Sequence, residues 1–193
     1  MAGPPAPQRG ARHNDAPLAC YHFAAPVEQT PVPSSLMSSR RPRLQAARSL
    51  SRKPLSKDML LPLPSSAVQT VALSNHLTFA ACRAGAGSAH LFNELIQLVY
   101  GTFFVQDAGY GDTDVIIYAR AEAALERGLQ RAEDERLWAL EAADLPMFEA
   151  VLQQADRQLA SAPRYVHVGA RDRLKRFAAS GRASPLMSTA SRH

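Results

Sequence analysis

Two glycine-punctuated breaks, Ala84-Gly85-Ala86-Gly87-Ser88 and Ala108-Gly109-Tyr110-Gly111-Asp112, bracket the most apolar segment of the chain, Leu91 to Val105. Glycine takes left-handed backbone conformations without steric cost, so a helix commonly ends where one follows it. Ser88 and Asp112 are residues that accept the free N–H groups of a helix start. One buried central helix with a helix on either side is the layout these breaks impose.

The rest of residues 67–180 extends the pattern to an all-α bundle of about five helices. The first, roughly 67–84 and capped by Ser65 or Ser66, carries two apolar stripes at helical spacing: Val68, Val71, Phe79 and Cys82, and Leu73, Leu77, Ala80 and Ala84. Two stripes predict a helix buried between neighbours. The second spans about 89–108, with Leu91, Phe92, Leu95, Ile96, Leu98, Val99 and Phe103 on its inner side. The third, about 113–134 and capped by Asp112, has Ile117, Ala121, Ala124, Leu125, Gly128 and Leu129 on one face. Trp138 anchors the link to a fourth helix, which Asp144 caps and Pro146 opens; Phe148, Val151, Leu152, Ala155 and Leu159 follow. Ser161 and Pro163 start the last helix, with Ala170, Leu174, Phe177 and Ala178 on its inner side, and Gly181 ends it.

Outside the bundle the composition changes. Eleven of the fourteen prolines lie in residues 1–66, where large apolar side chains are few. Such a stretch cannot bury enough surface to offset its chain entropy. Residues 1–51 are expected to be a disordered Pro/Ser/Arg-rich tail, 52–66 an extended strap docking Leu55 to Leu63 on the core, and 181–193 a second disordered tail. Met1 and Met37 both stand as translation starts; Met37 lies shortly before the part with recognisable order, and residues 1–36 read as proline-rich filler. Charge divides at the same boundary: nine Lys/Arg against three Asp/Glu in residues 1–66, eleven against fourteen in residues 67–180. The overall +5 therefore belongs to the tails.

Motifs that carry chemistry are absent or incomplete. The two cysteines, Cys20 and Cys82, provide neither a disulfide framework nor a zinc ligand set, which fits a reduced, cytoplasmic setting. Leu91–Val105 is too short to span a bilayer and includes Asn93, Glu94 and Gln97, so no membrane partner is expected. Gly85-x-Gly87 follows a helix, not a strand, and lacks the Lys-Ser/Thr of a phosphate loop. Asp107, Asp112 and Asp114 do not have calcium-loop spacing, and helix capping explains Asp112 and Asp114 better. His90 and Glu94, four apart, supply two metal ligands at most. No cofactor is expected and no catalytic residue is assigned; an enzyme would have to draw on His76, Cys82, His90 or Glu94.

Two features have functional potential. Arg40, Arg41, Arg43, Arg48, Arg52, Lys53 and Lys57 form a basic arm, and Arg171, Arg173, Lys175 and Arg176 repeat the theme on the last helix. Both suit weak, non-specific contact with DNA phosphates. Tyr100 and Phe104, four apart on the more polar side of the second helix, are candidates for contact with a protein partner or a second copy. The alternative is that the strap or the last helix covers them. A helix-turn-helix built on the first two helices is disfavoured, because the second would have to read DNA with Asn93, Glu94 and Gln97 and has no Arg or Lys.

Lys53-Pro54-Leu55-Ser56-Lys57-Asp58, Leu73-Ser74-Asn75-His76-Leu77 and Gln106-Asp107-Ala108-Gly109-Tyr110-Gly111-Asp112 together resemble a group of small bacterial proteins labelled Fis-family transcriptional regulators, over about residues 52–180. The resemblance implies a bacterial, cytosolic helical protein connected with transcription. True Fis proteins end in a basic helix-turn-helix; here Ser161-Ala162-Pro163 separates the last two helices without a comparable turn. No functional residue is carried over. The reading that results is a non-catalytic helical interaction or regulatory module, with a DNA-associated regulator as its alternative and an enzyme third.

Overall fold

The computed structural model describes residues 54–181 and 184–186, and these contain helices and no strand. Six helices occur: α1 (Lys57–Leu60), α2 (Ser65–Arg83), α3 (Ala89–Asp107), α4 (Val115–Glu135), α5 (Leu145–Ser161) and α6 (Arg164–Ala179), with a single 3-10 turn at Ala142–Asp144 before α5. The all-α bundle expected from the sequence is therefore the fold. The tail expected at 1–51 lies outside the described residues. Of the tail expected at 181–193, residues 181 and 184–186 are described, and there Leu186 is buried against the core and the Ser184 hydroxyl donates to Glu122 Oε2 at 2.9 Å.

Both glycine breaks close their helices in the same way. At the end of α2, Gly85 has φ +76°, its N–H reaches the Cys82 carbonyl, and the Ala86 N–H reaches the Ala81 carbonyl. At the end of α3, Gly109 has φ +97°, with the matching bonds from Gly109 to Gln106 and from Tyr110 to Val105. This paired 5→2 and 6→1 bonding satisfies carbonyls that a helix end leaves free.

The helix starts differ from the expectation at three places. Ser88 caps α3, its Oγ accepting from the Leu91 N–H, as the sequence predicts. Pro64 stands at the cap position of α2, so Ser65 and Ser66 fall inside the helix and neither caps it. Asp114, not Asp112, caps α4 by accepting from the Ile116 N–H. Asp144 precedes α5 but makes no cap bond; both of its carboxylate oxygens receive the Arg127 guanidinium at 2.8 Å.

The strap is not fully extended either. One turn of helix, Lys57–Leu60, fits between Pro54 and Pro62, because a proline before a helix and one after it obstruct no internal hydrogen bond. The strap lies along α6: the Arg164 N–H donates to the Leu61 carbonyl at 2.8 Å, and Pro62 bridges Pro163. Its leucines dock only in part, Leu63 alone being half-buried. Leu55, Leu60 and Leu61 are all exposed.

α3 is the centre, with α2, α4, α5 and α6 all packed against it. Phe92, Leu95 and Val99 are wholly buried. Gly128 lets α4 approach closely, since a Cβ there would stand 2.5 Å from the Phe92 ring. Phe92 in turn meets Trp138 edge to face, with centroids 5.3 Å apart, and the Trp138 carbonyl accepts the Gly87 N–H. Trp138 is thus the anchor the sequence marks. Gly128→Ala should lower stability by about 1–3 kcal/mol through overpacking against the fully buried Phe92 ring. Urea denaturation of the variant checks this; an unchanged midpoint would show that the α3–α4 contact yields easily.

Candidate interaction surface

Tyr100 and Phe104 are not on the surface. They are 2% and 5% exposed and lie beneath α6, so the second of the two sequence alternatives holds. The Tyr100 ring meets Phe177 edge to face at 5.4 Å, and its hydroxyl donates to Glu122 Oε1 at 2.6 Å. Burial and that carboxylate push the phenol far above its usual range, so it stays protonated. Phe104 packs on Phe103 and carries the Arg173 guanidinium 4.5 Å over its ring. As residues of the core these two are withdrawn from partner contact.

Arg173 is spoken for as well. It donates to Asp107 Oδ2 at 2.7 Å while stacking on Phe104, which pins α6 to the end of α3. Arg171, Lys175 and Arg176 remain exposed on α6, joined by Arg164 in its first turn and offset only by Asp172. Lys57 is exposed on α1, which packs against α6. Arg40, Arg41, Arg43, Arg48, Arg52 and Lys53 lie outside the described residues.

The four residues on which an enzyme would have to draw are placed as follows. His76 is half exposed and bonds Asp156 Oδ2 at 2.9 Å. Cys82 is fully buried, and burial pushes its thiol up to about 11, which suits a small hydrophobe and not a nucleophile. His90 is exposed in the first turn of α3, and Glu94 accepts from Gln97 one turn further on. Among the described residues no group of three His, Cys, Asp or Glu could hold a metal ion. The Gly85–Gly87 loop is closed by Trp138: a Cβ on Gly87 would collide with the Trp138 carbonyl oxygen.

Two hollows mark the outside of α5. One, about 440 Å³, lies under the Tyr110–Asp112 loop and is polar. Its inner wall consists of Gln154 and Gln158, both almost fully buried. Gln158 Nε2 donates to the Thr102 and Tyr110 carbonyls at 3.0 and 2.7 Å, and Gln154 Oε1 receives Arg157 at 2.6 Å and the Thr113 hydroxyl at 3.2 Å. These bonds use the amides to hold the α3–α4 loop against α5. Sequence reading missed this pair, because glutamines at helical spacing look like solvated surface.

The other hollow is a groove between α2 and α5, about 490 Å³, lined by His76, Leu77, Ala80, Arg83, Glu149 and Gln153. Here the expectation for the first helix fails. Only Thr78, Phe79 and Cys82 of α2 are buried. Leu73 is 60% exposed and Leu77 61%, since among the described residues no helix covers the second stripe; Val71 of the first stripe is 41% exposed as well. That stripe reads Ser66, Thr70, Leu73, Leu77, Ala80, Ala84, every member exposed and spaced alternately by four and three residues. This is the spacing of a seam that meets another helix along its length. Over the nineteen residues of α2 the only permanent charge is Arg83, whereas exposed residues on α4 include Arg120, Glu126, Arg127, Glu133 and Asp134. A solvated helix face normally carries charge.

With the geometry in place, comparison brings no relative: no family model, no curated protein and no solved structure matches the chain. The α2 face therefore has to be judged on its own chemistry. Replacing Tyr100 and Phe104 together by Ala should unfold the bundle or nearly so, since each truncated buried aromatic costs about 3–5 kcal/mol against a total stability of about 5–15. Circular dichroism and denaturant titration read the outcome. A double variant that keeps its fold would restore these residues as contact candidates.

Proposed function

We propose that this protein is a non-catalytic helical interaction module that works by receiving an uncharged amphipathic helix along the outer face of α2. The observation that carries the reading is the exposed seam from Ser66 to Ala84, with Leu73 and Leu77 at its middle and no charge before Arg83. A helix laid along it meets small residues at both ends, which admit close approach, and two leucines that enter the spaces between its own side chains. The α2–α5 groove gives such a helix a second wall. The scattered positions of His76, Cys82, His90 and Glu94 support a binding role over catalysis.

The test is site-specific photocrosslinking in the cell of origin. A photoreactive phenylalanine at position 77 should give a discrete covalent adduct, and the same probe at Arg120 on α4 should give none. Absence of an adduct at 77 with the protein folded and expressed would sink the proposal.

A second reading, a DNA-associated regulator of the kind the Fis resemblance implies, is favoured by the contact of α1 with α6. It brings Lys57, the last member of the basic arm, onto an element packed against the helix that carries Arg164, Arg171, Lys175 and Arg176. Binding of this kind would rest on phosphates and discriminate little between sequences. Duplex DNA titrated at two salt concentrations should then show an affinity falling with a log–log slope of about −0.9 per phosphate contacted. Arg171→Glu with Lys175→Glu should reduce that slope. Tight, sequence-selective binding would contradict the phosphate mechanism, and no binding at low salt would remove this reading.

A further inference from the structure

Resting on the interaction-module reading, we infer that the helix received by α2 is α2 of a second copy of this chain, packed antiparallel about a two-fold axis that passes between Leu73 and Leu77. An isologous pair demands that one patch complement itself, and the seam does so when it is reversed. With the axis at the midpoint of the leucines, Leu73 lies opposite Leu77 of the other copy, Thr70 opposite Ala80, and Ser66 opposite Ala84. Each larger or hydroxyl-bearing residue thereby meets a smaller one away from the centre, and the two leucine pairs fill the middle. The Thr70 hydroxyl is already bonded to the Ser66 carbonyl at 2.9 Å, so burying it leaves no donor unsatisfied.

Electrostatics select the same direction. In a parallel pair the two Arg83 side chains would flank one seam at the same level. Reversed, they stand roughly 24 Å apart along the helix axis, beyond the screening length of about 8 Å at physiological salt. His76 comes nearest the axis. Each ring holds its own Asp156 carboxylate at 2.9 Å, so a protonated pair would meet as two internally neutralised ion pairs. Arg83 likewise has Glu149 beside it at 4.0 Å. With both His76 rings protonated, no uncompensated like charges are forced together.

Size sets the strength. A nineteen-residue helix is about 28 Å long, and one such seam covers less than the roughly 800 Å² per partner of a standard stable complex. The dimer is therefore reversible and concentration dependent.

Sedimentation equilibrium of the full chain should show monomer near about 1 µM and growing dimer toward several hundred µM, on the scale expected of a small interface. Leu73→Glu with Leu77→Glu should abolish the rise while leaving helix content and thermal midpoint unchanged, both side chains being exposed. In a Cys20→Ser background, a mixture of Thr70→Cys and Ala80→Cys proteins should form a mixed disulfide dimer, and Thr70→Cys alone should not dimerise covalently. A monomer at every concentration, a dimer indifferent to the two glutamates, or ready Thr70→Cys self-linkage would each overturn the antiparallel pairing. The photocrosslink at position 77 separates the levels. An adduct of two copies supports the pairing; an adduct with another protein, with the chain monomeric, removes the pairing but leaves the module; no adduct removes both.

Discussion

Everything else in the bundle depends on α3 being enclosed on all sides between Leu95 and Val105. Four helices pack on it, and of its residues from Leu98 to Val105 all but Gly101 are buried. A helix in that position can carry few polar groups, and those it has must be bonded within the protein. The Thr102 hydroxyl turns back to the Leu98 carbonyl, and the Thr102 carbonyl accepts Gln158 from α5. Gln106 bonds both the N–H and the carbonyl of Thr113 and also receives the Tyr118 hydroxyl. The end of α3, the loop after it and the start of α4 are thereby held in one register against α5.

Enclosure also explains why α6, though mostly polar on its outside, belongs to the core assembly. Without it Tyr100 and Phe104 would face water, forfeiting about 1.5–3 kcal/mol of burial free energy for each large side chain. Arg173 converts a charged residue into part of that closure by pairing with Asp107 and covering the Phe104 ring. A guanidinium over an aromatic face contributes about 0.5–2 kcal/mol, depending on how far it is desolvated. The basic residues of α6 thus divide by face: Arg173 holds the fold, and Arg171, Lys175 and Arg176 are left to solvent.

The fold was legible where local chemistry decides it. Glycines 85 and 109 mark helix ends, Ser88 marks a start, and the periodicity of Phe148 to Leu159 and of Ile117 to Leu129 names faces that the structure buries or half-buries. It was illegible where a distant element decides. Periodicity shows that Tyr100 and Phe104 share a side of α3 but cannot say that α6 will cover it. The same gap made the Leu73–Leu77 stripe look buried, since apolar spacing is identical whether or not a neighbour arrives. Its one usable signal was composition: Ser66, Thr70, Ala80 and Ala84 are too small for a stripe that must fill a core.

That signal bears on what the two faces of α2 contribute to the fold. A core stripe needs volume, because interiors pack to crystal density and a void forfeits contacts outright. The Phe79–Cys82 face of α2 meets that need by packing on Phe148 and by accepting the Leu140 N–H at the Cys82 carbonyl. The Leu73–Leu77 face meets none of it. Polar substitutions there cost the monomer little, as exposed positions generally change stability by about 0.5 kcal/mol or less. The absence of charge on that face therefore has no explanation in the stability of a single copy. On the proposed pairing it would follow from a face kept dry against another helix, where each unpaired charge carries a desolvation cost that the seam's small area could not offset.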